Sequence, residues 1–180
     1  DTAVIALCRF SGEGWDRSGT PYDGDFYLSR EEEALVEAVK AKFPFVAVVL
    51  NTGGMMDTSW FRNAPGIQSA LLAWQGGIEG GLAAADILCG DVTPSGHLTD
   101  TFAENFSAYP SSDTFNESQD YVTYNEDIFV GYRYFETVPG AAEKVCYPFG
   151  YGLSYTTFAL GEAEGKREEE TLRFSARIRN

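Results

Sequence analysis

The residues best suited to chemistry lie in one long polar segment, Ser11–Leu28, which reads SGEGWDRSGTPYDGDFYL. The segment follows an apolar run of the kind that forms a buried strand, and connections longer than ~12–15 residues commonly have a function. Within it, Glu13 stands between Gly12 and Gly14, which allow the backbone to turn sharply and leave a carboxylate open to a substrate. A carboxylate of this kind can donate and accept a proton, so Glu13 is our candidate general acid/base.

Four aromatic side chains of the same segment could cover the apolar face of a sugar ring. They are Trp15, Tyr22, Phe26 and Tyr27, and aromatic residues make up 14% of the whole chain. Aromatic residues are also ordinary core material, and most of them are expected to be structural. Glu13 could instead be a surface carboxylate at a turn. The spacing of the residues around it does not decide between this interpretation and a catalytic role.

The other charged residues of the segment are interpreted as structural. Asp16 and Arg17 are adjacent, and we expect them to form an ion pair that orders the loop. Asp23 and Asp25 stand on either side of Gly24, a position typical of turn residues.

The segments that must position this loop alternate between apolar runs and helical patterns. Strands are predicted at Thr2–Phe10, Phe45–Leu50, Ile67–Trp74 and Leu98–Phe102, and helices from Ser29 onward, at Asp57–Arg62 and at Glu79–Leu88, the last ended by Gly90. This alternation predicts an α/β fold with a parallel sheet covered on both faces. Right-handed crossovers then bring three loops to the carboxyl edge of the sheet, where ligands bind: Ser11–Leu28, Asn51–Met56 and Gln75–Gly77.

The first helix has a clear beginning in the sequence. Ser29 and Glu32 have the spacing of a capping box, and Leu35 and Val39 mark one apolar face. The three glutamates at 31–33 lie in the first turn, where the helix dipole favours negative charge, so we interpret them as structural.

The last third of the chain does not follow the α/β pattern. We expect a surface loop at Tyr109–Thr123, irregular covering structure at Tyr132–Phe135 and Tyr147–Phe158, an exposed charged run at Gly161–Glu170, and a half-buried strand at Leu172–Ile178. The strand resembles the start of a different domain. We therefore expect one domain over residues 1–160 and the truncated beginning of another over 161–180, in a chain cut from a longer protein at both ends.

Composition excludes several classes of function. With 13 basic and 27 acidic residues the net charge is −14, which disfavours nucleic acid and anionic membranes as partners. The single histidine, His97, excludes most Ser-His-Asp and histidine-based metal sites. Three widely spaced cysteines, Cys8, Cys89 and Cys146, are more typical of a reducing compartment such as the cytoplasm.

Five stretches together resemble the C-terminal α/β-sandwich domain of glycoside hydrolase family 3, the β-glucosidase-type family. They are SGEGWDR at 11–17, GDFYLS at 24–29, IEGGLAAADILCGDVTPSGHL at 78–98, DIFVGYRYFE at 127–136 and YPFGYGLSYTTF at 147–158. The last two are the most specific, because many aromatic and glycine positions agree. The tail then corresponds to the start of the fibronectin-type-III-like domain that often follows in this family.

The resemblance implies a fold and a mechanism. The fold is a three-layer sandwich with a mostly parallel sheet of about five to six strands. The mechanism is that of a retaining β-glycosidase, in which the glutamate at Glu13 is the general acid/base and an aspartate of a barrel domain, absent here, is the nucleophile. Trp15, Arg17 and Tyr22 are the candidate substrate-binding residues, the expected partners are a carbohydrate substrate and the barrel domain, and no cofactor or metal is expected. The isolated chain is predicted to be inactive.

Some positions depart from the family pattern or carry weaker signals. His97 stands where a lysine or arginine is usual, Thr99 where a proline is usual, and Met55 replaces a common proline. The glycines at 76–81 lack the spacing of a phosphate-binding motif. Glu126 and Asp127 could face a cleft, but we expect them to order their loop through hydrogen bonds or a pair with Arg133.

Two other classes of function stay open. The chain could be a sugar-binding or interaction domain that has lost its enzyme, which an upstream barrel with an intact nucleophile would exclude. It could also be an unrelated nucleotide-binding α/β domain, against which the missing phosphate motifs count.

Overall fold

Three parallel strands form the centre of the chain, for which a computed structural model describes residues 1–180. They are β1 (Thr2–Arg9), β2 (Phe45–Thr52) and β3 (Ser69–Leu72), hydrogen-bonded in the order β1-β2-β3. β1 and β2 pair in full register, from Thr2 opposite Phe45 to Arg9 opposite Thr52. Both strands therefore end at the same level, and the loops that follow them begin side by side.

Helix α1 (Arg30–Lys42) connects β1 to β2 and covers one face of the sheet. Its capping box is formed as predicted, because the Ser29 hydroxyl accepts a hydrogen bond from the Glu32 amide and the Glu32 carboxylate accepts one from the Ser29 amide. Val36 is the helix residue that is buried against the strands. The helix ends before Phe43, which precedes a proline and is extended, as residues before proline commonly are.

The main core lies between α1 and one face of the sheet. Every second residue of the two long strands is buried there, beginning with Ile5 on β1 and Val46 on β2. The buried cluster comprises Ile5, Leu7, Leu28, Val36, Val46, Val48, Leu50, Met56 and Phe61. On the opposite face of β1 the side chains are exposed, and Val4 is 55% exposed.

The remaining helices are short, and none of them has the length and apolar character to cross a membrane. Helix α2 (Gly80–Cys89) ends at Gly90, whose φ of 83° is the left-handed conformation expected at a helix terminus. Helix α3 (Tyr132–Thr137) buries Phe135 in a second, smaller apolar cluster. Two 3₁₀ turns, at Phe106–Ala108 and Ala141–Lys144, belong to the same region.

Four more strands form two small antiparallel sheets. β4 (Phe102–Ala103) pairs with β5 (Val145–Tyr147), and β6 (Ala159–Glu168) pairs with β7 (Thr171–Arg179) in a hairpin. All residues of the hairpin are exposed. One of its faces is apolar, because Leu160 lies opposite Ile178 and Phe174 lies on the same side of β7.

The predicted α/β architecture with parallel strands is confirmed, but several details of the prediction are wrong. The parallel sheet of this chain has three strands, so a sheet of five to six is not confirmed. The fourth predicted strand is reduced to β4 and is antiparallel to β5. Residues 161–170 are exposed as predicted and mostly form strand β6, whereas the strand at 172–178, predicted to be half-buried, is exposed throughout. Residues 57–62 form turns rather than a helix, and residues 132–135 form α3 rather than irregular structure.

Two local hydrogen bonds hold the turn at residues 57–62. The Asp57 carboxylate accepts bonds from the amide of Ser59 at 2.9 Å and from its hydroxyl at 2.7 Å. Side chains that bond to the backbone two residues onward stabilise turns in competition with helix.

A buried ion pair joins the end of β1 to the start of α1. Arg9 has a side chain only 5% exposed, and its two terminal nitrogens each lie 2.7 Å from a carboxylate oxygen of Glu32. Bidentate arginine–carboxylate pairs are among the strongest polar contacts in proteins, and removing one partner leaves a buried charge.

We expect Glu32→Ala to lower the free energy of unfolding by about 3 kcal/mol, because Arg9 stays buried without its anion. The matched variant Glu33→Ala, at an exposed position of the same helix turn, should change it by less than about 0.5 kcal/mol. Urea denaturation followed by circular dichroism measures both. Equal stability of the two variants would contradict this interpretation.

Candidate functional site

The three predicted loops meet at the carboxyl edge of the sheet. The Ser11 hydroxyl lies 3.5 Å from the carbonyl oxygen of Gly53, and the Gln75 amide donates to the carbonyl of Ser11 at 3.4 Å. A Cβ atom at Gly53 would lie 2.4 Å from Cβ of Ser11, so this close approach requires glycine. The predicted convergence of the loops is therefore confirmed.

Glu13 lies at the tip of a tight turn in the first loop. The amide of Trp15 donates to the carbonyl of Gly12 at 3.1 Å, and Gly14 has a φ of 74°. A positive φ at the third position is what a type II turn requires, which explains the glycine there. The Glu13 side chain is exposed and forms no ion pair.

Two exposed aromatic rings lie beside this turn. Trp15 is 66% exposed and Phe10 is 70% exposed, and their rings meet edge to face with centroids 5.8 Å apart. Two adjacent exposed aromatic rings form a candidate contact surface for a ligand or for another part of the protein. The sequence predicts a role for Trp15, whereas Phe10, predicted as the last residue of a buried strand, is exposed.

The base of the loop is fixed by Asp25, not by the expected pair between Asp16 and Arg17. Arg17 donates to one carboxylate oxygen of Asp25 at 2.6 Å, and the Ser18 amide donates to the other at 2.7 Å. The backbone carbonyl of Asp25 also accepts from Arg9 at 2.8 Å. Asp25 was interpreted as a simple turn residue, and this interpretation is wrong because the two arginines converge on it from different parts of the chain.

A cleft of about 450 Å³ opens beside the loop. Ser11, Trp15, Asp16 and Arg17 form one wall, whereas Glu13, at the tip of the turn between them, does not line the cleft. The other walls come from the second loop and from residues 100–135: Gly54, Met55, Asp100, Thr101, Phe106, Tyr109, Ser111, Phe115, Glu126 and Phe135. A volume of this size is typical of small-molecule sites.

Most of the far wall was not identified from the sequence. The sequence of residues 109–123 predicts a polar surface loop. The length of this loop, at the limit of ~12–15 residues, is the feature that could have indicated a function. Glu126 does line the cleft, where its carboxylate lies 3.4 Å from the Ser111 hydroxyl. Arg133 does not pair with it, but lies 5.4 Å from the ring centroid of Tyr132.

Tyr22 lies away from the cleft. Its ring is covered by the guanidinium of Arg30 at 4.2 Å from the centroid, and it has a positive φ of 69°. Tyr22 is thus placed against the start of α1. Its assignment as a substrate-binding residue stays a prediction.

The residues that depart from the family pattern have structural contacts. The Nδ1 atom of His97 lies 2.8 Å from the carbonyl oxygen of Gly150, and Met55 lies 3.4 Å from the Tyr109 hydroxyl through its sulfur. No group of three or more histidine, cysteine or carboxylate side chains is arranged to hold a metal ion. All three cysteines are free thiols.

Tyr109 connects the cleft to the second apolar cluster. Its hydroxyl accepts a hydrogen bond from the Ala103 amide at 3.0 Å, and its ring meets those of Phe26 and Phe135 edge to face. Burial raises the pKa of the Tyr109 phenol to about 12, although the bond from Ala103 acts in the opposite direction. The folded chain therefore favours the neutral phenol.

Comparison with known proteins assigns a family to the chain. A sequence model described as "Glycosyl hydrolase family 3 C-terminal domain" matches residues 1–155. The chain is 57% identical to β-glucosidase A of Butyrivibrio fibrisolvens, over 89% of the chain and 22% of that protein. It is 38% identical to a β-glucosidase of Ruminococcus albus, over 100% of the chain and 18% of that protein. The chain thus spans about a fifth of the length of these relatives.

Solved structures agree with this assignment. A β-glucosidase from Paenibacillus barengoltzii superimposes with a TM-score of 0.85 and 40% identity, over 98% of this chain and 19% of that one. β-Glucosidase 3B from Thermotoga neapolitana in complex with glucose gives a TM-score of 0.84 and 42% identity, over 99% of this chain and 25% of that one. At these identities the likeness extends beyond the fold to the family.

The raised pKa of Tyr109 predicts a loss of stability at high pH. The unfolded chain releases this proton near pH 10 and the folded chain near pH 12, so the stabilisation is complete below pH 10 and decreases up to pH 12. We expect a decrease of about 2 kcal/mol over this range, which Tyr109→Phe should abolish. Unfolding free energies measured between pH 9 and 12 test this. Exposed Tyr124→Phe is the matched control, and an unchanged pH dependence in Tyr109→Phe would contradict the assignment.

Proposed function

This chain belongs to glycoside hydrolase family 3, as part of its C-terminal domain, and from this we propose that it supplies the general acid/base of a retaining β-glycosidase. The observation that supports the proposal best is the position of Glu13. Its carboxylate is exposed and free of ion pairs, at the tip of a glycine-flanked turn on the carboxyl edge of a parallel sheet. Ligands of open α/β sheets bind at that edge.

The proposed reaction uses Glu13 twice. It first protonates the oxygen of the leaving group while a second carboxylate attacks the sugar, and it then removes a proton from the water that releases the sugar. Retaining enzymes hold their two carboxyl groups about 5–5.5 Å apart on opposite sides of the glycosidic bond. We propose that an aspartate of a barrel domain outside this chain is the second group, and the mechanism needs neither a metal nor an organic cofactor.

The substrate proposed for the whole protein is a terminal β-linked sugar. Because similar proteins are named β-glucosidases, glucose is the first candidate for this terminal sugar. Trp15 and Arg17 line the cleft next to Glu13 and are the residues of this chain that we propose to contact the substrate. Tyr22 does not line the cleft, and its contact with the substrate stays a prediction.

We also propose that further elements complete the fold. Parallel sheets are almost always covered on both faces, yet one face of β1 is open at Val4, Ala6 and Cys8. Additional strands and helices on this side would complete the three-layer sandwich of five to six strands. The apolar face of the β6–β7 hairpin would likewise be covered by the rest of a fibronectin-type-III-like domain, since a lone two-stranded hairpin is only marginally stable.

The role of Glu13 is tested in the full-length protein that contains this chain. We expect Glu13→Gln to lower kcat/KM by about 10²–10⁴-fold for β-glycosides with poor leaving groups, because these need protonation by a general acid. The aryl group of an activated glycoside leaves without protonation, so formation of the glycosyl-enzyme from such a substrate should be affected far less. Glu33→Gln, the same change at an exposed position of α1, is the control. Equal losses for the two classes of substrate would reject the assignment.

The isolated chain is a second test, because it holds only one carboxylate of the proposed pair. We expect no turnover of an aryl β-glucoside by the 180-residue chain, measured by release of the chromophore. Addition of the separately produced barrel domain should restore activity if the two parts associate. Robust turnover by the chain alone would show that it contains a complete site and would overturn the proposed division.

A further inference from the structure

Two arginines stand at equal sequence distances from the proposed acid/base. Arg9 precedes Glu13 by four positions, and Arg17 follows it by four. Arg9 is the last residue of β1, and the Nε atom of its buried side chain donates to the Asp25 carbonyl at 2.8 Å. Arg17 donates to the Asp25 carboxylate at 2.6 Å. The segment that carries Glu13 therefore begins and ends at contacts with one residue, Asp25.

Asp25 is itself held in place by the residue that follows it. Phe26 is 2% exposed, its amide donates to the Ser18 carbonyl at 3.3 Å, and its carbonyl accepts from the Asp57 amide at 2.9 Å. Its ring packs edge to face against Phe106, with centroids 5.3 Å apart. A residue next to a buried ring with paired backbone groups has little freedom to move. Asp25 can therefore hold its own neighbours at fixed positions.

Both oxygen atoms of the Asp25 carboxylate are used to hold the far end of this segment. One accepts from Arg17 at 2.6 Å and the other from the Ser18 amide at 2.7 Å. Hydrogen bonds to an ionised group are roughly twice as strong as those between neutral groups. The Arg17 guanidinium also lies against the second loop, because a Cβ atom at Gly54 would lie 3.4 Å from its Nε atom. The end of the segment is thus fixed from two sides.

The position of Glu13 depends on the two ends of its segment. The hydrogen bond that closes the turn is the only one formed by residues 12–16, so the tip of the turn is not bonded to the rest of the fold. A general acid must meet the leaving oxygen at hydrogen-bond distance, and a misplacement of about 1 Å can lower the rate roughly 10²-fold. We propose that Asp25 is a positioning residue, whose carboxylate holds Glu13 at the reacting oxygen through Arg17 and Ser18. The inference rests on the function proposed above.

Three variants of the full-length protein test this role. Asp25→Asn keeps the backbone carbonyl for Arg9, but its amide has only one acceptor oxygen, so either Arg17 or the Ser18 amide loses its partner. Asp25→Glu keeps the charge but moves it outward by one methylene group, and it serves as a second variant in case Asp25→Asn is unstable. Asp23→Asn is the matched control. Asp23 is exposed, and its side chain accepts one long hydrogen bond, 3.3 Å from the Asp25 amide, which the asparagine oxygen can still accept.

A double-mutant cycle with Glu13→Gln separates positioning from a general structural role. We expect both Asp25 variants to lower kcat/KM for phenyl β-glucoside, whose leaving group needs protonation, by about tenfold or more. For dinitrophenyl β-glucoside, which leaves without protonation, the change should be less than about threefold. In the Glu13→Gln background the same changes should have almost no further effect on phenyl β-glucoside, because the group that they displace is absent. Equal losses in both backgrounds, or for both substrates, would overturn the inference.

Hydrogen exchange provides a readout that is independent of turnover. Amides of residues 11–18 should exchange faster in both Asp25 variants than in Asp23→Asn, because the lost contacts allow more local opening. Unchanged exchange in this segment would overturn the inference. If Glu13→Gln does not change the ratio of kcat/KM for the two glucosides, the proposed function fails and the inference fails with it. If Glu13→Gln changes this ratio and the Asp25 variants do not, only the positioning role of Asp25 is refuted.

Discussion

The loop after β1 depends on two arginines that converge on Asp25. Arg9 ties the backbone of Asp25 to Glu32 at the start of α1, and Arg17 binds the Asp25 carboxylate from within the loop. Arg9 is nearly buried, so its contacts are expensive to break and hold the ends of the loop at fixed positions. The tip of the loop, with Glu13, is free of such contacts. The loop thus has a base that is fixed by polar contacts and a tip that is accessible.

The sequence predicts the elements that are specified locally. β1, β2 and α1 are found because apolar periodicity and a capping box are encoded by neighbouring residues. The bounds and pairing of β4 and the helix α3 are missed because contacts with distant parts of the chain stabilise them. β4 consists of two residues paired with β5, more than forty positions onward, and α3 is held by burial of Phe135 in the second apolar cluster.

The candidate site likewise has features that local sequence specifies and features that only folding brings together. Glycines on both sides of Glu13 and the length of the loop identify it as a candidate from local sequence, and the convergence of three loops follows from the handedness of the crossovers. The role of Asp25 could not be predicted, because its partners Arg9 and Arg17 adjoin it only after folding. Arg9 itself was a signal, since a charged residue within an apolar strand must find a buried counter-ion. The far wall of the cleft comes from residues 100–135, whose approach to the loop is not encoded by any local pattern.

Several apolar surfaces of the chain are open. Val4 on the sheet, the rings of Phe10 and Trp15 beside the turn, and the apolar side of the β6–β7 hairpin are all exposed. Retaining hydrolysis tolerates little error in the distance between its two carboxyl groups, and a loosely attached partner could not hold that distance. Under the proposed mechanism, the domain that carries the other carboxylate would therefore be fixed by well-packed contact close to the reacting groups. Phe10 and Trp15 lie nearest to Glu13 among these surfaces, so contact of that domain with the two rings would, under the same proposal, position both carboxylates.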